Sequence, residues 1–565
     1  MSWWRRRREQ KDFEIAPDEI FLDDANVSEF DRARFEGRLE RPLNRSTFLV
    51  AGVSIGLFFV TLLAQSWNLQ VRQGAAYAAE SERNSLEEQM LFAERGIITD
   101  VNGAPLVTNE TNADGLVRRV YRTPGLSSVL GYVSYPKKDS SGNYYSTETK
   151  GLAGLEASYD SLLNGKNGTL LIEKDAVGEV KSQGTIVPPQ NGTSLQLSLD
   201  VRVQDAFYKA IKELADRVPF AGGAGILMDV KTGELKAMVS YPEFDSNVLS
   251  AGSPAEVIRG YSTDTRRPYL NRNIQGLYTP GSVVKPLEAA AALTEGTITA
   301  DYTINDTGSI SIPNPYNPDA PNVFVDWKVL GTEDLRRAIA FSSDVYFYIV
   351  GGGYQGKPGL GIERLASWYR TFGLTSPTGI TFPGERIGFV PTPDWKQATF
   401  KEAWNIGDTY HTAIGQYAMQ VTPLAQARAI AAIANGGTLV TPTIVKNLSS
   451  RAPDAPVLGT ALPLTKDSIK VAQEGMRQGV REGTSVGLSS LEYFVHLAGK
   501  TGTAQTGVRN EFHNSWAVGF FPYENPKYVY LVMMERGPST NVFGGVYVMS
   551  QVLSELHQTA PEYFE

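Results

Sequence analysis

In "YTPGSVVKPLEAAAAL", residues 278–293, Ser282 stands three residues before Lys285 at the mouth of an alanine-rich run. On a helix the two side chains share a face and come within hydrogen-bond reach, as a serine nucleophile and a proton-accepting amine require. The helix N-terminus stabilises negative charge on the serine oxygen. Pro286 is tolerated because first-turn donors lack intrahelical partners. Alone, the pair reads rather as an N-cap serine and a solvated lysine, and the same spacing recurs at Ser134 and Lys137 in the loop-like "SYPKK". Two further clusters add weight. "AIAFSSDVYFYIV" carries Ser342 and Asp344 at the join of two helical patterns, and "LAGKTGTAQT" carries Lys500, Thr501, Gly502 and Thr503 at the end of a strand. Another Lys-Thr-Gly, at Lys231, Thr232 and Gly233, falls in the turn of "MDVKTGELKAM", where glycine supplies a positive φ, and reads as structural.

Such residues need a rigid scaffold, and the pattern after residue 200 supplies one. "VRVQDAFYKAIKELADRV" repeats Val203, Phe207, Ala210, Ile211 and Leu214 at helical spacing behind Asp200 as N-cap. "GAGILMDVKTGELKAMVSYP" reads as a hairpin, and helical patterns start at 282, 333, 362, 424 and 465. "VHLAGKTGTAQT", "HNSWAVGFFP" and "KYVYLVMMER" read as three strands, followed by a helix from about Val546. The pattern predicts an α+β domain, an antiparallel sheet with helices on its faces. Residues 67–200 read instead as a strand-rich spacer with one helix in "GLEASYDSLLNG".

The chain has 565 residues, 42% hydrophobic and 20% charged, enough for at least two globular domains. A net charge of −8 without an extended basic block argues against a nucleic-acid partner. With no cysteine, thiol catalysis and disulfides are excluded; the four histidines, His411, His496, His513 and His557, lack metal-ligand spacing. No metal or other cofactor is therefore expected. His513 follows the Lys-Thr-Gly strand and reads as a packing residue near the cleft.

From Ser46 to Ala64, 19 residues carry no charge, enough to cross about 30 Å of hydrocarbon. Arg34, Arg38, Arg41 and Arg45 precede the run and Trp67 follows it, which predicts an uncleaved anchor with a cytoplasmic N-terminus. The expected organisation is a cytoplasmic tail (1–45), a transmembrane helix (46–66), a strand-rich pedestal (67–200) and a catalytic domain (201–565) outside the cytoplasm.

The ordered set S-x-x-K, S-x-D and K-T-G resembles the signature of penicillin-binding proteins and serine β-lactamases. "RGIITDVNGAPLVTN", "GLAGLEASYDSLLNGKNG", "NRNIQGLYTPGSVVKP" and "GDTYHTAIGQYAMQVTPLAQA" extend the resemblance to class B penicillin-binding proteins, although Val101 replaces the usual arginine. "SSDVYFY" and the terminal "APEYFE" are most similar to the cell-elongation group, penicillin-binding protein 2. The segment of about 40 residues between "LVTN" and "GLAGLE" is shorter than that group's head subdomain.

This resemblance implies a peptidoglycan D,D-transpeptidase in cell-wall elongation, acylated by β-lactams. Ser282 is the implied nucleophile, Lys285 its base and Ser342 a proton relay; Lys500, Thr501, Gly502 and Thr503 bind the substrate carboxylate. Asp344 stands where most relatives have asparagine, and is expected beside Lys285 or the substrate amide. For Lys285 to accept a proton near neutrality, burial and the charge of Lys500 must disfavour its protonated form by about 4 kcal/mol. Expected partners are stem peptides, a SEDS-type membrane glycosyltransferase and other elongation-complex proteins. A division-type transpeptidase, a penicillin sensor and a non-catalytic scaffold are the alternatives.

Overall fold

The computed structural model describes residues 44–84, 86–112, 115–142, 144–174, 179–314, 317, 319–446, 459–507 and 509–565. The expected tail, including Arg34, Arg38 and Arg41, lies outside them apart from Asn44 and Arg45. The chain divides into two compact units, 1–87 with 172–182, and 88–171 with 183–565.

In the first unit, helix α1 (Arg45–Trp67) covers the predicted anchor and continues into a π-helical turn, Asn68–Arg72. None of its residues is buried, and among the described residues it is the one helix long and apolar enough to cross a membrane. An apolar run without an internal partner is what lipid, rather than a protein core, accommodates.

The second unit begins with a four-stranded sheet of β1 (Ile98–Thr99), β2 (Pro105–Thr111), β3 (Val117–Tyr121) and β4 (Leu195–Gln196), ordered β4-β1-β2-β3. The helix predicted in "GLEASYDSLLNG" forms as two short ones, Gly154–Ser158 and Asp160–Leu163. Glu156, wholly buried, meets Arg95 at 2.6 Å and Arg119 at 2.7 Å. A buried carboxylate needs such paired donors, which is why the "RGIITD" and "GLAGLE" segments come together.

Helix α2 (Val201–Arg217) starts at Asp200, whose side chain accepts from the Arg202 amide at 3.0 Å. Strands β5 (Gly222–Asp229) and β6 (Leu235–Tyr241) form the expected hairpin. Beyond them lie α3 (Lys285–Thr294), α4 (Leu335–Phe341), α5 (Asp344–Gly352), α6 (Gly361–Thr371), α7 (Ile406–Ala413), α8 (Pro423–Ala434) and α9 (Lys466–Arg481). The final strands, β7 (Ala498–Thr506), β8 (Phe512–Phe521) and β9 (Tyr528–Pro538), complete an antiparallel sheet ordered β6-β5-β9-β8-β7, and α10 (Gly545–Thr559) follows. Alternate residues of β9 separate two cores. Val529, Leu531 and Met533 pack with α3 and α8, whereas Tyr530, Val532 and Met534 pack with α2 and α10. A sheet buried on both faces reads as nearly continuous hydrophobic runs, as "KYVYLVMM" does. The expected α+β architecture is therefore present.

Two small antiparallel pairs between α3 and α4 were not predicted: Ile304–Asp306 with Gly331–Glu333, and Ser309–Ile312 with Asn322–Val325.

Candidate active site

Ser282 does not lie within α3 itself. It occupies a 3-10 turn, Gly281–Val284, that runs directly into the helix. Gly281 takes φ +60° there, and its amide donates to the Gly415 carbonyl at 2.9 Å, which fixes the turn against the end of α7. The Trp516 indole donates to the Thr279 carbonyl at 3.1 Å and holds the preceding loop on β8. On the other side, β7 approaches so closely that a methyl group on Gly502 would lie 2.8 Å from the Pro280 carbonyl and 2.9 Å from Val283 Cγ1. Glycine in the third motif is thus required by the first.

Ser282, Ser342, Asp344, Thr501, Gly502 and Thr503 line one cavity of about 550 Å³. Lys285 and Lys500 lie beneath, 0% and 1% exposed. Lys285 Nζ contacts Asp344 Oδ1 at 2.5 Å, donates to the Ser342 carbonyl at 2.8 Å and lies 3.4 Å from Ser342 Oγ. Ser282 Oγ makes no hydrogen bond among the described residues, Lys285 included. Lys285 and Asp344 thus form an ion pair, the first of the two placements expected for Asp344.

Lys500, the expected positive neighbour, is itself buried. Burial pushes its ammonium well below the usual lysine range, the charge of Lys285 adds to that effect, and Asp344 opposes it. Lys500 Nζ donates to the Thr501 carbonyl at 2.8 Å, and Thr501 Oγ1 to Thr484 Oγ1 at 2.7 Å.

Trp327, Thr484, Ser515 and Trp516 also line the cavity and were not singled out from sequence. Thr484 lies in "REGTS", just past α9, and Trp327 in the unpredicted hairpin region; neither belongs to a periodic pattern. The residue before Trp327, Asp326, accepts from the Val345 amide at 2.8 Å. Burial, reinforced by the charge of Asp344, raises the Asp326 carboxyl to about 6, and burial raises nearby Glu333 to about 7. His513, 7% exposed, packs edge-on against Phe220 with ring centroids 6.2 Å apart, the structural role expected of it. The second Lys-Thr-Gly lies in the β5–β6 turn, where Gly233 has φ +76°. Ser134 and Lys137 fall on separate short strands.

A model of the penicillin binding protein transpeptidase domain matches residues 223–550, and one of the penicillin-binding protein dimerisation domain matches 111–197. The chain belongs to the penicillin-binding protein transpeptidase family. It is 33% identical over 447 residues to a Haemophilus influenzae protein named peptidoglycan D,D-transpeptidase MrdA, covering 74% of this chain and 66% of that one. Its namesake in Escherichia coli K12 is 28% identical over 613 residues, covering 90% of this chain and 93% of the relative. Among solved structures, one titled as the structural coordination of polymerization and crosslinking by a peptidoglycan synthase complex superposes with a TM-score of 0.70 at 27% identity, covering 91% of this chain and 98% of that one. Membership accounts for the order of the three motifs and for the sheet that carries the last of them.

Proposed function

We propose that this chain is a serine-type peptidoglycan D,D-transpeptidase of cell-wall elongation, acylated also by β-lactams. The observation that carries the reading is the single cavity shared by Ser282, Ser342, Asp344 and the Thr501–Thr503 strand, with two buried lysines below it. The similarity to proteins named MrdA favours elongation over division.

In the proposed reaction, Ser282 Oγ attacks the carbonyl between the two terminal D-alanines of a stem peptide. The serine proton passes to Lys285 Nζ, made free to accept it by releasing its own proton toward Asp344 at 2.5 Å. The C–N bond breaks, terminal D-alanine leaves as an amine protonated through the Ser342 hydroxyl, and an ester to Ser282 remains. An amine from a neighbouring stem then attacks that ester, gives up a proton along the same route and restores the serine hydroxyl. Backbone amides of Ser282 and Thr503 would face the developing oxyanion, each contributing about 3 kcal/mol. Thr501, Thr503 and Lys500 would hold the substrate carboxylate, whose charge favours the protonated form of Lys500.

Helix α1 would anchor the protein with its N-terminus in the cytoplasm and the catalytic cavity outside. The similarity to a component of a peptidoglycan synthase complex supports a membrane glycosyltransferase of the SEDS type as partner.

The test is labelling with fluorescent penicillin together with cross-linking of lipid-linked polymer by wild type and Ser282→Ala. Wild type should label and cross-link, and the variant should do neither. Cross-links that survive the substitution would overturn the assignment; a wild type that never labels would favour a scaffold.

A further inference from the structure

Ser342 has φ +63°, the left-handed region, at the join between α4 and α5. A non-glycine residue there costs about 1 kcal/mol and persists only where its surroundings hold it. That bend turns both the carbonyl and the hydroxyl of Ser342 toward Lys285 Nζ, at 2.8 and 3.4 Å. Two consecutive residues outside the three motifs grip it from both sides. The Trp327 indole donates to the Phe341 carbonyl at 3.2 Å, immediately before the bend. Asp326 Oδ2 accepts from Ser343 Oγ at 3.2 Å and from the Val345 amide at 2.8 Å, immediately after it. Further ties run from Ser342 N to the Ile339 carbonyl at 3.3 Å, from Ser343 N to the Ala338 carbonyl and Thr484 N to the Ala340 carbonyl, both at 3.0 Å, and from the Tyr346 amide to Ser343 Oγ at 3.0 Å.

The dipeptide is itself held. The Asp326 amide donates to the Gly308 carbonyl at 2.8 Å, the Tyr348 hydroxyl donates to the Val325 carbonyl at 3.3 Å, and the Phe324 ring packs 4.9 Å from that of Tyr410. The hairpin Ser309–Ile312 with Asn322–Val325 thus delivers Asp326 and Trp327 to the second motif.

We propose that Asp326 and Trp327 are positioning residues for acylation, clamping the chain on both sides of Ser342 so that its two oxygens stay aimed at Lys285. The proposal rests on the acyl-transfer reading, and its test separates the two. Second-order acylation rates are measured with two β-lactams of different side chain, alongside melting temperatures, for wild type, Asp326→Ala, Asp326→Asn and Trp327→Phe. Asn with its amide oxygen in the place of Oδ2 keeps an acceptor for both the Val345 amide and Ser343 Oγ; Phe keeps a ring but deletes the N–H donor.

Asp326→Ala should acylate about 10- to 100-fold more slowly, as expected for misaligned catalytic groups. Asp326→Asn should recover to within about threefold of wild type, and Trp327→Phe should be roughly 3- to 10-fold slow at an unchanged melting temperature. Both β-lactams should lose rate equally. A wild-type rate in Asp326→Ala, or Asp326→Asn as slow as Asp326→Ala, overturns the proposal, as does a loss confined to one β-lactam, which would make Trp327 a substrate contact. Should Asp326→Ala fail to fold, Asp326→Asn and Trp327→Phe decide by the same criteria. Absence of labelling in wild type would sink the enzymatic reading instead.

Discussion

The tripeptide Lys-Thr-Gly occurs twice, at 231–233 and at 500–502, and the two copies do opposite things. In the first, Asp229 Oδ1 accepts from the Lys231 and Thr232 amides at 2.8 Å each, Gly233 turns the chain with φ +76°, and Lys231 is exposed. In the second, the residues are extended in β7, Lys500 is 1% exposed, and Gly502 lies under the turn that presents Ser282. Both glycines are obligatory, one for its dihedral angle and the other for its missing side chain. The same letters enter the proposed active site only where neighbouring segments remove water from the lysine and bring Ser282 alongside.

The comparison breaks if the two lysines prove interchangeable. Lys500→Ala should lower the acylation rate about 100- to 1,000-fold, the usual cost of deleting one electrostatic anchor in an active site. Lys231→Ala should leave that rate within about twofold and stability within about 0.5 kcal/mol. Measured penicillin acylation of both variants decides.

Alanine at the glycines gives a smaller contrast. Gly502→Ala should slow acylation about 10- to 100-fold, because its methyl group would push against Pro280 and Val283 beside Ser282. Gly233→Ala should cost about 1–3 kcal/mol, since it combines a positive φ with a methyl group 2.3 Å from the Thr441 carbonyl. Its acylation rate per folded molecule should stay at the wild-type value. Denaturant titration and active-site labelling, run on the same samples, separate these outcomes.

The smallest effect is a slope. Burial lowers the Lys500 pKa in the folded state below the ordinary 10.5, so the unfolded chain binds more protons between the two values. Stability from this residue therefore rises with pH until 10.5 and is diminished at lower pH. The difference in unfolding free energy between wild type and Lys500→Met should shift in favour of wild type from pH 7 to 10. A difference that stays level over that range would refute the effect of burial on Lys500.

Much of this could be read in advance where a local rule was sufficient. The anchor, α2 with its Asp200 cap, the β5–β6 hairpin and the last three strands follow from periodicity and turn residues, signals that neighbours rarely override. The site was less legible. Asp326 and Trp327 sit in a hairpin whose short strands carry no clear alternation, and they matter only because they meet a bend some 15 residues downstream.

The sequence by itself determined the reactive groups, their order and the elements that carry them, because spacing and periodicity are properties of one chain segment at a time. Tertiary structure alone decided that Asp344 meets Lys285 at 2.5 Å, of the two placements open to it, that burial depresses Lys500, and that Ser342 is held in a left-handed bend. Each depends on which segments exclude water and at what distance charges meet, quantities that exist only once remote parts of the chain are packed together.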